Sequence, residues 1–577
     1  MTITGNIIRN ATSPRTTSTV TLNGPSALLD MSNRSIGSAT ALITFNAQAG
    51  TLRNLAELNG GGTLDKTTAG TLVLDTANAY TGLTTVTAGI LHVMNGGALG
   101  SAAAGTSVAD GATLQISGDV TTLAEVLTLA GLGVGGNGAL RNLSGTNTYT
   151  GPITLASASR IQADAGTLNL DVASGNAVSG AFDLSIGGAG NISVADAINI
   201  AAGNLTKFGA GTVTMSSPVN TYTGVTTLGG GTLSVAALAN GGADSSIGSS
   251  SFAAGNLVFD GGTLQYTGGS VTTDRNYTIA AGKTATINVS TAGAVLTMTG
   301  NAPTTTGGLT KAGPGTLTMA NSAYNHAGAT TVSGGTLNTA DDAVFAGNFV
   351  VSGGTFSPGT SANGTNHNGI GQASTTSAAA SVFNTGSTFV FDFSAVDTGS
   401  VSAPTNWDFL HNAAGLTLTG GASYTLQIRS WLASGLNYGV EAFDANADTS
   451  TDLSTMEGSA GAKASYRWLW IDNDGTLQGD GVSGGKAEVL NQFVIDTSLF
   501  DGNNPFSQTP PVGGHFWVSA YNNDLYINYS SVPEPGSLLF VGLAGLGLAA
   551  YRRRKRKAEQ TSEESGAATE NHAAPQA

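Results

Sequence analysis

A unit of about thirty residues recurs along the chain, and its internal rhythm limits what the chain can fold into. Residues 62–91 read GTLDKTTAGTLVLDTANAYTGLTTVTAGIL, 203–233 read GNLTKFGAGTVTMSSPVNTYTGVTTLGGGTL, and 308–337 read GLTKAGPGTLTMANSAYNHAGATTVSGGTL. A shorter copy without the lysine, GALRNLSGTNTYTGPITL, covers 138–155. Each full copy has a Leu two before a Lys (Lys66, Lys207, Lys311), then Gly-Thr-Leu/Val, a Tyr, Thr-Thr-Val/Leu and a closing Gly-x-Leu. Runs such as Thr71-Leu72-Val73-Leu74 and Thr316-Leu317-Thr318-Met319 alternate apolar with small or β-branched residues. That period of two marks strands with one buried face, and Gly or Asn marks each corner.

The copies are unevenly spaced. Tyr80, Tyr149, Tyr222 and Tyr324 lie 69, 73 and 102 residues apart, too irregular for propeller blades. Half-copies stand between them, Asp110–Ile116 and Asp260–Tyr266. Short strands, glycine corners and unequal connections predict an all-β fold, a right-handed parallel β-solenoid over 1–375, in which each coil stacks on the next. Coils of about 22 residues at ~4.8 Å per rung would make a rod of roughly 75 Å. A Gly/Ser/Thr low-complexity coil and a β-sandwich array are the alternatives, but linkers do not keep Leu at every other position.

Composition agrees with this reading. The 577 residues include 83 glycines, no cysteine and few aromatics, which suits a narrow core of Ala, Val and Leu rather than packed helices. Without cysteine there is neither a disulfide framework nor thiol chemistry. Six of the 21 basic residues fall in Arg552–Lys557, so 1–551 carries 15 basic and 32 acidic groups. Such an acidic body disfavours nucleic acid as a partner, since phosphate binding needs clustered Lys and Arg.

The repeats resemble the autotransporter-associated β-strand repeat, whose pattern runs close to G-x-L-x-K-x-G-x-G-T-L-x-L…N-x-Y-x-G-x-T-x-V…G-x-L. Tyr324 departs from it in having Gly328 four residues on rather than two. The resemblance implies a surface-exposed or secreted β-helical passenger with no chemistry assigned to the repeat. A classical autotransporter closes with a translocating β-barrel ending on an aromatic residue. Ala574-Pro575-Gln576-Ala577 does not fit that version.

Beyond residue 352 the texture changes, and all five Trp (Trp407, Trp431, Trp468, Trp470, Trp517) follow. Residues 381–530 are expected to form a smaller β-rich domain, sandwich-like or a cap on the solenoid, with strands at Ser387–Phe393, Ala422–Ile428, Tyr466–Ile471 and His515–Tyr521. Within it, Asp444, Asn446, Asp448 and Asp452 place oxygens as a calcium loop does, but Thr449 and Thr455 replace the turn glycine and closing glutamate. Ile471–Thr476 is a shorter relative of that pattern. An ordinary polar turn is the reading of each, with calcium as the alternative. Trp468 and Trp470 are read as core, with sugar stacking as the alternative.

The last segment is tripartite. Val532-Pro-Glu-Pro-Gly536 precedes an uncharged run, Gly536–Tyr551, and then Arg552, Arg553, Arg554, Lys555, Arg556 and Lys557. Pro533 and Pro535 break any helix from upstream, and the cations hold the far end at the cytoplasmic face. The run is short for a span, which suits a transient anchor. A plain tail anchor is the alternative. This order closely resembles the PEP-CTERM sorting signal over 532–557, with a single transmembrane helix at 536–551. The resemblance implies an exosortase-type processing enzyme acting at Pro533, Glu534 and Pro535, and a body exported to the cell envelope or beyond. The acidic tail 558–577, expected to be disordered, is an addition to the family's pattern. Met1–Asn23 lacks a basic region leading into an apolar run, so a signal peptide upstream of an internal start is expected.

No cofactor is expected. Charges in the solenoid half are spread singly, and the six His pair with no recognisable nucleophile. The many Gly-x-Gly runs are corners, not phosphate loops. The recurring lysines are read as coil-surface residues. The sequence therefore predicts an exported structural or adhesion protein, with extracellular polysaccharide as a candidate partner. A β-helical lyase or hydrolase using the same route is the alternative.

Overall fold

Four-residue strands cut by glycine corners cannot bury an apolar face alone, so they stack. The computed structural model describes residues 1–9, 18–359 (apart from 122, 301, 322 and 341–342) and, from 372 to 530, chiefly strands. It is an all-β parallel solenoid of about 15 coils. Among the described residues there are two short 3-10 turns, Val134–Gly136 and Ala254–Asn256, and no helix long and apolar enough to cross a membrane.

Three faces close each coil. The first face begins with Leu64–Lys66, Thr84–Val86, Thr106–Val108 and Leu127–Gly131, each parallel to the next. The second stacks Thr71–Leu74, Gly89–Val93, Ala112–Ile116, Leu140–Asn142 and, further on, Leu184–Gly188, Leu205–Phe208 and Thr226–Leu228. The third runs from Thr146–Tyr149 through Thr167–Leu170, Asn191–Val194, Thr212–Met215 and Thr232–Val235 to Gly308–Ala312 and Thr330–Val332. Inward positions along these ladders are Leu, Ile and Val, nearly all fully buried.

The ladders do not stop near residue 375. Ser381–Phe383, Gly415–Leu418 and Thr476–Gln478 extend the third face in parallel register. Thr388–Ser394 and Tyr424–Trp431 continue the ladder that contains Thr355–Ser357. The core crosses the same point, with the Phe356 and Phe389 rings 5.5 Å apart edge to face. In place of a separate sandwich, the described strands of 381–530 are therefore further coils. Among the described strands, antiparallel ladders appear at the end, where Tyr466–Asn473 meets Asp524–Ser530, which pairs with His515–Tyr521. The change in texture has a physical source: aromatics replace aliphatics in the same inward positions, beginning with Tyr324 stacked on Phe345 at 4.6 Å.

Candidate functional site

The repeat lysines correct the surface assignment. Lys66, Lys207 and Lys311 are 1%, 0% and 0% exposed. In Leu64-Asp65-Lys66 the alternation puts Leu and Lys on the same inward side. The Lys207 ammonium donates to the carbonyls of Gly209 at 2.7 Å, Gly211 at 2.5 Å and Gly230 at 2.7 Å. Lys311 donates to Ala312 at 2.8 Å and to Gly313 and Gly334 at 2.9 Å each. Lys66 bonds Thr68 and the Ala88 carbonyl. Each ammonium therefore spends its donors on backbone carbonyls of its own corner and of the next coil's corner, with no carboxylate beside it. Burial pulls Lys207 and Lys311 down to about 8 and lowers Lys66 as well. The seat depends on glycine: Gly231 has φ +54°, and a Cβ there would collide with Lys207 Nζ.

A tyrosine and an asparagine complete the clamp. Tyr80 bonds Thr84 Oγ1 at 2.8 Å, and Tyr222 bonds Thr226 Oγ1 at 2.9 Å. Asn78 accepts from Leu55 N at 2.8 Å and donates to Ala98 O at 2.7 Å, joining the coils on either side. Asn220 does the same between Ile198 N and Ser246 O, at 2.7 and 2.9 Å. In the last copy His326 takes the tyrosine place, its Nε2 bonded to Thr330 Oγ1 at 2.7 Å. Tyr324, two residues earlier, donates to Met319 O at 2.6 Å. This explains the irregular spacing to Gly328, which lies two residues after His326. In the short copy Asn142 stands where lysine would and still reaches the next coil at Ala165 O, 2.8 Å away.

The three lysines lie on three different faces: Lys66 on the first, Lys207 on the second and Lys311 on the third. The unit is thus tied to its own two coils and not to one side of the rod. Two further buried charges escaped sequence reasoning. Arg275, 3% exposed, holds the excursion 236–256 by bonds to the carbonyls of Ala239, Ala243, Gly248 and Ser250. Glu125, 3% exposed, accepts from Thr106 Oγ1 at 3.3 Å, and burial pushes its carboxyl up to about 7. Neither belongs to a recognisable motif.

The sorting residues Pro533, Glu534 and Pro535, the span 536–551, the cluster Arg552–Lys557 and the loop residues Asp444, Asn446, Asp448 and Asp452 lie outside the described residues. Among the described residues no group of His, Cys, Asp and Glu is placed to hold a metal ion.

Comparison with known proteins finds likenesses over parts of the chain. Residues 64–93, 141–158, 205–235 and 309–338 match the passenger-associated transport repeat, and 531–557 match the PEP-CTERM protein-sorting motif. The first matched segment starts and ends on the strands Leu64–Lys66 and Gly89–Val93, so the sequence unit puts two strands on each of two faces and bridges two successive coils. Over 120 residues the chain is 49% identical to the adhesin BmaC autotransporter of Brucella suis biovar 1 (strain 1330). That stretch covers 20% of this chain and 4% of the adhesin. No solved structure matches the chain. These matches are local: the chain is similar to passenger-type transport repeats over the solenoid segments and to a protein-sorting motif near its end.

Proposed function

We propose that the chain is a scaffold or adhesion protein of the cell surface or extracellular matrix, released from a transient inner-membrane anchor by an exosortase-type enzyme. The observation that carries this reading is the union, in one chain, of a long solenoid clamped by passenger repeats and a matched sorting motif. Pro533-Glu534-Pro535 would be the processing motif, Gly536–Tyr551 the span and Arg552–Lys557 the stop. The acidic 558–577 would remain on the cytoplasmic side. The coil is taken as right-handed, the hand that parallel crossovers favour. Asp444, Asn446, Asp448 and Asp452 are taken as a polar turn, so chelation would leave the protein unchanged.

Intact mass of the protein recovered from the native host's envelope and medium tests the route. Loss of everything from about Pro535 onward supports it. A full-length chain held in the inner membrane would overturn the sorting claim and leave a tail-anchored solenoid.

A further inference from the structure

Parallel register stacks equivalent outward side chains into columns, one residue per coil. Most columns are plain. On the first face one runs Asp65, Thr85, Ser107, Thr128, Thr154, Ser179. On the third another runs Thr148, Asn169, Ser193, Thr214, Ser234. The second face differs: His92, Gln115, Arg141 and Gln162 form one column over four successive coils.

This column has walls. The loop from Gly131 to Gly138 folds over its flank, with Thr113 Oγ1 donating to Gly138 O and accepting from Val134 N, both at 2.9 Å. Arg160 reaches the same loop at Gly136 O, 2.7 Å away. The opposite flank holds the ion pair of Arg141 with Asp164 and, coils earlier, that of Arg53 with Asp75. Next in the column after Gln162 come Gly187, with no side chain, and Phe208, whose ring lies 4.5 Å from the Arg160 guanidinium.

The floor keeps spare bonding capacity. Gln115 is 7% exposed although it faces outward, and its only bond is a long one from Arg141 Nη1 at 3.4 Å to its oxygen. Its amide nitrogen has no partner among the described residues and reaches solvent, so it is open to a ligand. Gln162 donates to Asp164 Oδ1 at 2.7 Å, leaving its oxygen open. His92 Nε2 bonds Ser117 Oγ at 2.8 Å, leaving the other ring nitrogen. Donors and acceptors thus alternate along the axis; Asp75 and Asp164 cancel the charges of Arg53 and Arg141, and Arg160 is engaged by the Gly136 carbonyl and the Phe208 ring. Neutral hydroxyls match that pattern; phosphate or carboxylate does not.

We propose that this trough binds a neutral linear polysaccharide strand lying along the solenoid axis, its hydroxyls bonded to Gln115, Arg141 and Gln162. The apolar face of one sugar ring would rest over Gly187 against Phe208. Successive sugars meet successive rungs, about 4.8 Å apart. The proposal rests on the reading of the chain as an extracellular protein and names the surface it presents.

The test measures retention of the purified full chain on films of neutral glucan, mannan and galactan, with alginate as the anionic comparator. Retention on at least one neutral film is expected, weakened at least about tenfold by the pair Gln115→Ala and Gln162→Ala and unchanged by Thr214→Ala. Thermal unfolding followed by circular dichroism confirms that the variants fold. Binding to no neutral film, binding to alginate alone, or retention indifferent to the pair would each overturn the trough. Where the chain resides is read separately from the native host, so failure of the surface assignment is distinguishable.

Discussion

Lys207 and Gly230 belong to successive coils, and the ammonium of one donates to the carbonyl of the other at 2.7 Å. Lys311 and Gly334 repeat the bond at 2.9 Å one face further round the rod. A buried cation is costly unless its donors are used, and here the three donors meet three carbonyls.

Replacing Lys207 with Met should expose that dependence. Three carbonyls lose their donors inside the core, at a cost of about 2–4 kcal/mol. Native-state hydrogen exchange should show faster opening around Gly209–Gly231, with distant coils unaffected, because solenoid stability is local. Lys283→Met is the control: that side chain is 52% exposed beside Asp260, and its loss should cost less than about 0.5 kcal/mol.

Glu125 gives a pH dependence. Its carboxyl lies at about 7 in the fold against 4.5 when free, so between those values the folded state holds a proton that the unfolded state has released. Stability from this group is complete below about pH 4.5 and falls as pH rises toward 7. Because His326 titrates in the same window with the opposite sign, the slope is read as the difference between the parent and Glu125→Gln in urea titrations, and that difference should grow from pH 4.5 to 7.

His326 works in the opposite direction. Burial pulls it down to about 4 from 6.5, so on acidification the unfolded state takes up the proton first. Its contribution is complete above pH 6.5 and declines toward pH 4. His326→Tyr, which installs the residue of the other copies, should abolish this decline while keeping a bond to Thr330.

Arg275→Lys should loosen the excursion it holds. The three donors of a lysine radiate from one nitrogen and cannot span the four carbonyls of Ala239, Ala243, Gly248 and Ser250, which Arg275 reaches from three nitrogens. Exchange at 239–250 should accelerate while the strands Leu257–Phe259 and Thr263–Tyr266 keep their protection.

Much of the fold was legible because alternation is a local property. Leu72 and Leu74, or Leu317 and Met319, reveal their buried side within four residues. The same alternation around Leu64 and Lys66 pointed inward for the lysine too. Residue type outweighed it, since lysine is almost always exposed. What a sequence hides is how coils of unequal length come into register. Nothing local says that Phe389 continues the core of Phe356, or that Gln115 stands beside His92 and Arg141. The excursion held by Arg275 and the enclosure of Glu125 likewise depend on neighbours a coil or more away.

Because the clamp brings its own partners and has been placed on each of the three sides, it imposes no phase on the rod. A gene segment encoding one pair of coils could be duplicated or lost at any point around the circumference, and the joints above and below would still close. Reach along the axis can therefore change by whole coils, with the bonds on either side of the joint still satisfied.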